Sequence, residues 1–551
     1  MRDENFVKMY EGSFKEYFNL PALTEYGTST SYTYGEAAQE IAKLHLLFEA
    51  ANVQRGDKIA VIGKSSCGWC IAYLATVTYG AVIVPILQDF NPNDVHHIIN
   101  HSEAVFLFTA DSIWDNLEEE KLPNLRAAFS LTDFGLKYEK EGEAISTIVE
   151  SIPAVFAQKY PDFTPEGICY PEVSNDELAV LNYTSGTTGF SKGVMITGNN
   201  LSGNILFAHD IFNMKPGDAM LSFLPLAHTY GSAFEFLYAL TAGCAVTLLG
   251  KTPSPKILLK AFADVRPALI LSVPLILEKI YKNMILPMLS KAPMKVVLSV
   301  PLLDKTIYAQ IRKKLIHAFG GKFIQIIIGG APLNAEVEDF LRKIDFPMSV
   351  GYGMTECAPL ISFTLYSENP PAHSCGKILD NMEVRIDSED PYNIAGEIQV
   401  RGQHVMRGYF KNEEATKAVF TNDGWLRTGD LGTIDADKHI FIRGRSKSMI
   451  LSASGQNIYP EEIEAKLDNL PFVMESLVVE RNGKLVALVY ADMDAADKNG
   501  LNESDLKKAM EQNKEALNKM VAVYERISEI ELYAQEFEKT PKKSIKRYLY
   551  K

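Results

Sequence analysis

One stretch of the chain carries the side chains best suited to hold a phosphate. Hydroxyls, glycines and one lysine are concentrated in Tyr183-Thr184-Ser185-Gly186-Thr187-Thr188-Gly189-Phe190-Ser191-Lys192-Gly193, directly after the apolar segment Leu178-Ala179-Val180-Leu181. Glycines let backbone N–H groups approach an anion closely. The hydroxyls add donors, and Lys192 adds a positive charge. We therefore predict a strand that leads into an anion-binding loop.

This loop does not match the kinase-like P-loop, which requires Gly-x-x-x-x-Gly-Lys followed by Ser or Thr. Here Lys192 precedes a glycine, and Gly189 stands three positions before the lysine. A flexible Gly/Ser/Thr surface loop is the alternative interpretation. The density of hydrogen-bond donors beside a lysine favours phosphate binding.

A second group of residues combines glycines, an aromatic ring and a carboxylate. It is found in Val350-Gly351-Tyr352-Gly353-Met354-Thr355-Glu356-Cys357. Glycine permits the close approach of a flat base, Tyr352 can stack on that base, and Glu356 offers oxygen ligands to Mg²⁺. A hairpin turn with an ordinary surface glutamate is the alternative. Another glycine turn, Gly329-Gly330-Ala331-Pro332, follows the apolar run 323–328.

Two stretches near the end of the chain hold further polar groups. Trp425-Leu426-Arg427-Thr428-Gly429-Asp430 ends in a carboxylate, which can accept hydrogen bonds from both hydroxyls of a ribose. Arg443-Gly444-Arg445-Ser446-Lys447-Ser448 is basic and precedes the glycine-containing segment 452–459. An aspartate after a glycine is in most cases part of a turn.

Taken together, these stretches resemble the motifs of the adenylate-forming superfamily, which contains acyl-CoA synthetases, luciferases and peptide-synthetase adenylation domains. The resemblance extends over nearly the whole chain, in order. It implies that the loop holds the β- and γ-phosphates of ATP. The residues that the resemblance assigns to the nucleotide and coenzyme A are Thr184, Ser185, Gly186, Thr187, Thr188, Gly189, Lys192, Gly330, Ala331, Pro332, Tyr352, Gly353, Thr355, Asp430, Arg445, Lys447 and Gly455.

The resemblance also implies individual roles. Tyr352 would contact adenine, with Gly330-Ala331-Pro332 as the wall behind it, and Thr355 would bind the α-phosphate. Glu356 would hold Mg²⁺, and Asp430 would hold the ribose. These positions match the family motifs Tyr-Gly-x-Thr-Glu and Thr-Gly-Asp.

Further roles follow from the same resemblance. Arg445 would contact ribose or phosphate, Lys447 would be the hinge about which a C-terminal domain rotates, and Gly455 would let a phosphopantetheine arm pass. The departure from the family is Ser448, where an acidic residue is common. His228, in Leu224-Pro225-Leu226-Ala227-His228, would lie beside the acyl carboxylate, although a lone histidine is more often structural. Thr184 is counted as a catalytic candidate as well.

The C-terminal tail departs from the family pattern. Family members carry a lysine that bridges the acyl carboxylate and the α-phosphate, but the tail Lys539-Thr540-Pro541-Lys542-Lys543-Ser544-Ile545-Lys546-Arg547 has Ser544 at that position. Three alternatives stay open: Lys543 takes the role after a one-residue shift, Lys546 takes it, or the role is weakened. A solvated basic tail is the structural interpretation.

Composition narrows the class of protein. The chain has 551 residues, 47% of them hydrophobic and 23% charged, with a net charge of −14. This length predicts two to four compact units. The negative charge argues against nucleic acid as a main partner, because phosphate backbones require clustered Lys and Arg. The start of the chain, Met1-Arg2-Asp3-Glu4-Asn5, does not resemble a signal peptide.

The cysteines and the hydrophobic runs bear on location. No window reaches about 18 uncharged apolar residues, so no membrane-spanning helix is expected. Six cysteines without a framework fit a reducing cytoplasm. The close pair Cys67-x-x-Cys70 would need partners for a redox or zinc role, and helix packing is the favoured interpretation. Oligomeric state is left open, and peripheral membrane contact stays possible.

Alternating helix and strand patterns predict an α/β protein. Strands at 58–62, 81–86 and 104–109 alternate with helices from Thr33 and at 68–79, which indicates a parallel sheet. Strands at 219–223, 245–249, 269–273 and 323–328 predict a second layered unit, and 375–443 predicts a small distorted β-barrel. The charged stretch 120–175 is predicted as surface elaboration. We expect a large N-terminal domain over 1–445 and a smaller mobile α+β domain over 446–551.

The expected activity has two steps: formation of an acyl-adenylate from a carboxylic acid and Mg·ATP, then transfer of the acyl group to coenzyme A. Within the superfamily, His228, Lys447 and the tail resemble long-chain fatty acyl-CoA synthetases of bacteria. A ligase for aryl or shorter acids, or one that loads a carrier protein, is the nearest alternative. A nucleotide-binding protein with impaired catalysis is the alternative from another class, because of Ser544.

Overall fold

The chain folds as a mixed α/β protein. The computed structural model describes residues 4–184, 191–251, 253–289, 303–451, 456–540 and 544–550. Two compact units can be separated. The first comprises residues up to 184 together with Ser191–Glu383 and Arg401–Val419, and the second comprises Val384–Val400 and the chain from 420 onward.

The strands form the sheets of both units. In chain order they are β1 (Pro21–Glu25), β2 (Ser31–Thr33), β3 (Lys58–Ile62), β4 (Val82–Ile86), β5 (Ala104–Thr109), β6 (Ala127–Ser130), β7 (Leu136–Glu139), β8 (Leu178–Thr184), β9 (Lys192–Thr197), β10 (Ala219–Ser222), β11 (Ala245–Leu248), β12 (Ile270–Ser272), β13 (Ile326–Ile328), β14 (Met348–Val350), β15 (Tyr352–Gly353), β16 (Leu360–Phe363), β17 (Lys377–Ile378), β18 (Met382–Asp387), β19 (Gly396–Gly402), β20 (Gly408–Tyr409), β21 (Leu426–Ile434), β22 (Ile440–Arg445), β23 (Ile450–Leu451), β24 (Asn457–Ile458), β25 (Val473–Arg481), β26 (Lys484–Ala491) and β27 (Ile527–Tyr533).

The helices pack around these sheets. In chain order they are α1 (Phe6–Glu16), α2 (Tyr34–Ala50), α3 (Cys67–Tyr79), α4 (Pro92–Ser102), α5 (Asp111–Trp114), α6 (Ile145–Lys159), α7 (Gly198–Ile211), α8 (Thr229–Gly231), α9 (Ala239–Thr241), α10 (Pro255–Val265), α11 (Pro274–Ile280), α12 (Leu286–Leu289), α13 (Leu303–Ala318), α14 (Ala335–Lys343), α15 (Glu413–Val419), α16 (Pro460–Leu467), α17 (Met493–Lys498) and α18 (Glu503–Met520). Wider π-helical turns occupy Ser232–Tyr238 and Tyr281–Ile285.

The largest sheet of the first unit has eight strands in the order β20-β9-β8-β4-β3-β5-β6-β7. β3 pairs in parallel with β4 and β5, and β4 pairs in parallel with β8, which confirms the parallel sheet. Buried β-branched and aromatic residues form these strands because both faces of a parallel sheet are covered by helices. α2 begins just after Thr33, where the sequence predicted a helix to start, and Thr33 and Glu36 form a capping box there.

A second layered region of the first unit follows the pattern expected from the strands after 219. Strands β10-β11-β1-β2 form one sheet and β12-β13-β14 another. A parallel bridge from Met220 to Leu269 connects them. The sequence did not indicate that β1, from the start of the chain, pairs with β11 and carries β2 into the same sheet.

The prediction for 120–175 was wrong in part. β6 is buried at every position and pairs in parallel with β5, and α6 runs over Ile145–Lys159. β6 was not predicted because it has only four residues, which give little periodicity to detect, and because charged residues surround it in the sequence.

The second unit contains antiparallel strands and a C-terminal α+β part. β18-β19-β21-β22 form a four-stranded sheet, and β25-β26-β27 form a three-stranded sheet. The strands β18, β19, β21 and β22 correspond to the short strands predicted over 375–443, while β15-β16-β17 form a three-stranded sheet in the first unit. The last core is built from α16, α18 and one face of β25 and β26, with residues such as Ile463, Leu467 and Leu517 buried. The domain boundary at 445/446 stays a prediction.

Two expectations about the chain as a whole can be compared with the structure. Within the described ranges, no helix has the length and apolar character needed to cross a bilayer. The six cysteines, all of them among the described residues, form no disulfide, and Cys67 and Cys70 are buried in α3. Burial raises the pKa of Cys67 to about 12 and that of Cys70 well above its usual value, so packing rather than thiolate chemistry explains the pair.

Candidate active site

The predicted phosphate loop joins two antiparallel strands of the large sheet. β8 and β9 pair so that Thr184 lies opposite Lys192. Thr184 and Lys192 are both half-buried. Ser185, Gly186, Thr187, Thr188 and Gly189 lie outside the described residues. The strand predicted before the loop is confirmed, and the loop's two ends are adjacent in the sheet.

Lys192 lies over an aromatic ring. Its Nζ is 5.0 Å from the centroid of the Tyr409 ring, a geometry typical of a cation–π interaction. Among the residues that the structure describes, no carboxylate pairs with this ammonium. The positive charge of Lys192 is therefore not neutralised by a described acidic side chain.

Glu356 is connected to the same ring. The Tyr409 hydroxyl donates to Glu356 Oε1 at 2.9 Å, and the Met406 N–H donates to the Glu356 carbonyl oxygen at 2.8 Å. Burial raises the pKa of Tyr409, and the Glu356 carboxylate raises it further, so the phenol stays protonated and acts as the donor. One tyrosine thus contacts both the lysine and the carboxylate that the sequence singled out.

The donor set at Glu356 fits a magnesium ion. Mg²⁺ is commonly bound through one or two carboxylates together with substrate phosphates and water. The described ranges contain no group of three or more His, Cys, Asp or Glu side chains arranged as a metal cage. A single carboxylate is suited to a metal that arrives with a triphosphate.

Glycine at position 353 has a reason that the sequence analysis did not give. A Cβ on Gly353 would collide with the Pro359 carbonyl oxygen. Gly353 is needed for the packing of its own hairpin, in addition to any role toward a base. Tyr352 is only 7% exposed and pairs with Ser362, and Thr355 is buried in the next turn. Contact of Tyr352 with adenine stays a prediction.

The glycine turn after β13 is exposed and positioned by an aromatic residue. Gly330 has a φ of +85°, which favours glycine, and Gly330, Ala331 and Pro332 are exposed. Gly329 lies against the ring of Tyr230, whose hydroxyl donates to the Ile327 carbonyl at 3.0 Å. The predicted adenine wall is therefore an accessible turn at the end of a buried strand.

His228 precedes the short helix α8 and lies on a segment attached to the phosphate strand. Its N–H donates to the Pro225 carbonyl at 3.0 Å, which closes a turn. The Asn182 side chain, on β8, donates to the Ala227 carbonyl at 3.0 Å. The structure thus connects the segment that carries His228 to the strand that leads into the phosphate loop.

In the second unit, two predicted residues contact each other. Arg445 Nε lies 2.8 Å from Asp430 Oδ1, and the two residues are paired across β21 and β22. Asp430 is 4% exposed, while the Arg445 side chain is mostly exposed. Gly429 has a φ of +73°, which explains the glycine before the aspartate. The pairing brings together the two residues expected near the ribose.

The structure describes only part of the predicted hinge at Lys447 and of the glycine-containing segment 452–459 that follows it. Lys447 is exposed, in a turn where the Ser448 N–H donates to the Arg445 carbonyl at 3.1 Å. Gly455 lies outside the described residues. The hinge role of Lys447 stays a prediction.

In the C-terminal tail, the described residues before 541 and after 543 pair with each other, and we call these paired segments the C-terminal hairpin. Lys539 is bridged to Ile545, and the Thr540 N–H donates to the Ser544 carbonyl at 2.8 Å. Lys543 lies outside the described residues. Lys546 Nζ is 3.4 Å from Glu538 Oε2. The structure therefore shows Lys546 in an ion pair with Glu538, and its proposed catalytic role stays a prediction.

Sequence reasoning missed Tyr409. Arg407-Gly408-Tyr409 follows β19 and precedes α15, so its local pattern indicates only a turn after a strand. The structure pairs β20 with β9, with Tyr409 opposite Val194. Local periodicity cannot reveal such a pairing, because β20 is two residues long.

The chain is similar in sequence to known enzymes. A family model described as "AMP-binding enzyme" matches residues 11–410. A long-chain-fatty-acid–CoA ligase, FadD15 of Mycobacterium bovis, is 29% identical over 499 residues, which cover 85% of this chain and 78% of that protein. A 4-coumarate–CoA ligase of Arabidopsis thaliana is 26% identical over 545 residues, with coverages of 96% and 87%.

A solved structure supports the fold. The o-succinylbenzoate–CoA synthetase MenE of Bacillus subtilis, in complex with ATP and a magnesium ion, superposes with a TM-score of 0.73 at 22% identity. The match covers 99% of this chain and 98% of that chain. The α/β fold predicted from the sequence is confirmed.

Proposed function

Since the chain belongs to the AMP-binding enzyme family, that of the AMP-forming acid–CoA ligases, we propose that it activates a long-chain fatty acid and transfers the acyl group to coenzyme A. The observation that supports the proposal best is the arrangement of Lys192, Tyr409 and Glu356 beside the phosphate loop. A lysine without a described carboxylate partner is suited to an anionic substrate, and a nearby carboxylate is suited to the metal that accompanies it.

The reaction has two steps. A carboxylate oxygen of the acid attacks the α-phosphorus of ATP. The bond between the α-phosphorus and the oxygen that bridges it to the β-phosphorus breaks, and pyrophosphate leaves with that oxygen. The sulfur of coenzyme A then attacks the acyl carbonyl, AMP leaves with the electron pair of the broken C–O bond, and the thiol proton is released. Catalysis of phosphoryl transfer depends mainly on positioning and on stabilisation of charge.

Each proposed role uses a property of the side chain. Lys192 and Thr184 bind the β- and γ-phosphates, as do Ser185 to Gly189. Thr355 donates to the α-phosphate, and Asp430 and Arg445 bind the ribose. Glu356 holds Mg²⁺, which neutralises phosphate charge when bound.

The acid and its acceptor are the finer part of the proposal. The similarity to FadD15, whose name states a long-chain fatty acid, supports this substrate class. Similarity to a 4-coumarate–CoA ligase favours an aryl acid as the second candidate. His228, held beside β8 through Ala227, is the side chain that we assign to the acyl carboxylate.

An acid panel tests the proposal. Purified protein is incubated with Mg·ATP and one acid at a time, from acetate to oleate and including 4-coumarate, and pyrophosphate release and acyl-CoA formation are measured. We expect palmitate and oleate to give the highest kcat/KM. Preference for 4-coumarate would assign the aryl alternative. Absence of pyrophosphate release with every acid would instead favour a nucleotide-binding protein with impaired catalysis.

A further inference from the structure

Tyr409 makes two contacts with the residues that the proposed function assigns to the Mg²⁺–triphosphate. Lys192 Nζ lies 5.0 Å above the ring, and the ring's hydroxyl donates to Glu356 Oε1 at 2.9 Å. The three residues come from β9, from the turn after β15 and from β20. Lys192 and Glu356, both described, form no ion pair with each other.

The ring itself is held by backbone and side-chain contacts. Tyr409 is 7% exposed, and its backbone N–H donates to Thr416 Oγ1 at 2.9 Å. β20 pairs with β9, and the Phe410 N–H donates to the Gly193 carbonyl at 2.8 Å. The position of the ring is therefore fixed relative to the residue that follows Lys192.

A phenol suits this position for two separate reasons. Its ring face attracts an ammonium group without neutralising it, whereas a carboxylate there would form a salt bridge. Its hydroxyl donates to one oxygen of Glu356 and leaves the other oxygen available to a metal. A phenylalanine would keep the first property and lose the second, and a leucine would lose both.

We propose that Tyr409 is a positioning residue: it holds Lys192 and Glu356 apart, keeps the lysine charge available to phosphate, and orients the Glu356 carboxylate toward Mg²⁺. This inference rests on the proposed function of Lys192 and Glu356. Nothing in the role requires Tyr409 to touch the reacting atoms.

The test measures nucleotide binding rather than turnover alone. Affinity for α,β-methylene-ATP is measured by calorimetry, with Mg²⁺ and with EDTA, for the wild type, Tyr409→Phe and Tyr409→Leu. Binding of Mn²⁺, as a paramagnetic substitute for Mg²⁺, is followed by electron paramagnetic resonance in the presence of the same analogue. Melting temperature and circular dichroism of each variant report whether it is folded.

We expect Tyr409→Phe to lose about tenfold of the affinity gained with the metal, because a hydrogen bond to a charged group is removed. Its affinity in EDTA should equal that of the wild type, since the ring face remains. Tyr409→Leu should weaken binding in EDTA as well, because Lys192 loses the ring. In the acid assay, Tyr409→Phe should raise the apparent KM for Mg²⁺ and leave the KM for the acid unchanged.

A double-mutant cycle separates positioning from general packing. In a Glu356→Ala background, Tyr409→Phe should have no further effect on the metal-dependent affinity, because the group that it orients is gone. Tyr10→Phe is the matched control: the Tyr10 hydroxyl is also buried, and it donates to the Leu237 carbonyl at 3.0 Å. Tyr10→Phe should leave both affinities unchanged.

The outcomes are distinguishable. Unchanged metal-dependent affinity in Tyr409→Phe, or an effect that persists in full without Glu356, refutes the inference while the proposed function stands. Failure of the folded wild type to bind the analogue under either condition refutes the proposed function, and the inference with it. If Tyr409→Leu does not fold, Tyr409→Phe and the cycle decide alone.

Discussion

The lysine beside the phosphate loop and the cations of the C-terminal hairpin are held in opposite ways. Lys192 is placed by the face of Tyr409 and pairs with no described carboxylate. In the hairpin, Lys539 pairs with Glu475 and Glu536, Lys546 with Glu538, and Arg547 with Glu464.

The difference shows how a protein can position a cation with or without neutralising it. An aromatic face restrains an ammonium group weakly and leaves its charge available to a ligand. A carboxylate restrains it more firmly, and a phosphate must then compete with that carboxylate for the cation. From this comparison we expect Lys192 to bind the substrate phosphates and Arg547 to stabilise the folded C-terminal part of the chain.

The largest effect is expected from Lys192→Ala. The variant should lower the kcat for acid-dependent pyrophosphate release by about 10²–10³-fold, because one charged group that stabilises the transferring phosphates is lost. Lys343→Ala is the matched control, since Lys343 Nζ lies 4.8 Å above the Tyr308 ring. Equal, small effects of the two substitutions would contradict a substrate role for Lys192.

Arg547→Ala should destabilise the C-terminal part of the chain without a change in metal affinity. Glu464 is buried and accepts from the Val478 N–H at 2.6 Å, so loss of the guanidinium leaves a carboxylate without its main charge partner. We expect a loss of about 3–5 kcal/mol at pH 8, measured as faster hydrogen exchange in β25 and β26. Arg481→Ala, which breaks the more exposed pair with Glu531, should cost less than about 1 kcal/mol. A smaller loss for Arg547→Ala than for Arg481→Ala would refute the assignment.

The same buried carboxylate predicts a dependence of stability on pH. Burial raises the pKa of Glu464 to about 7, although Arg547 opposes this shift. Because the pKa of Glu464 is higher in the folded state than in the unfolded state, the protonated carboxyl favours the folded state. This contribution to the free energy of unfolding is complete below pH 4.5 and is lost as the pH rises through 7. The loss is up to about 3 kcal/mol. Exchange rates of wild type and Glu464→Gln, compared at the same pH, should therefore diverge between pH 5 and 8. A constant ratio would refute the shift.

The smallest effect is expected from Lys546→Ala. Lys546 and Glu538 form a partly exposed pair, so stability should change by less than about 1 kcal/mol. Because its ammonium is shared with Glu538, we expect a smaller loss of adenylation than for Lys192→Ala. A kcat for pyrophosphate release as low as that of Lys192→Ala would instead assign the bridging role to Lys546.

The accuracy of sequence reasoning differed between elements for physical reasons. β8 and α2 were predicted correctly because an apolar run before Gly, Ser and Thr, and apolar residues at helical spacing such as Ile41, Leu44 and Leu47, are local signals. β6 was missed because four buried residues lie among charged ones. The sequence analysis gave an incomplete reason for Gly353. The Pro359 carbonyl oxygen, which excludes a side chain at position 353, lies just before β16.

The candidate site divides in the same way. Thr184, Lys192, Glu356 and Asp430 were predicted as site residues by residue type and spacing, because each lies in a motif within a few positions, and their roles stay predictions. Asp430 and Arg445 were each predicted to lie near the ribose, but their contact with each other was not predicted. That contact depends on the register of β21 and β22. Tyr409 was not identified, since its contacts come from segments that are distant in sequence.

The amino-acid sequence alone determined the class of fold, the order of the motifs and the chemical groups available to a nucleotide. These properties depend on short-range patterns of hydrophobicity, glycine and charge. Only the tertiary structure decided which groups are neutralised by neighbours and which are not. It pairs β20 with β9 and so brings a tyrosine to Lys192 and Glu356, and it closes the C-terminal hairpin so that its described cations meet carboxylates. Such pairings are set by packing between distant segments, which no local pattern encodes.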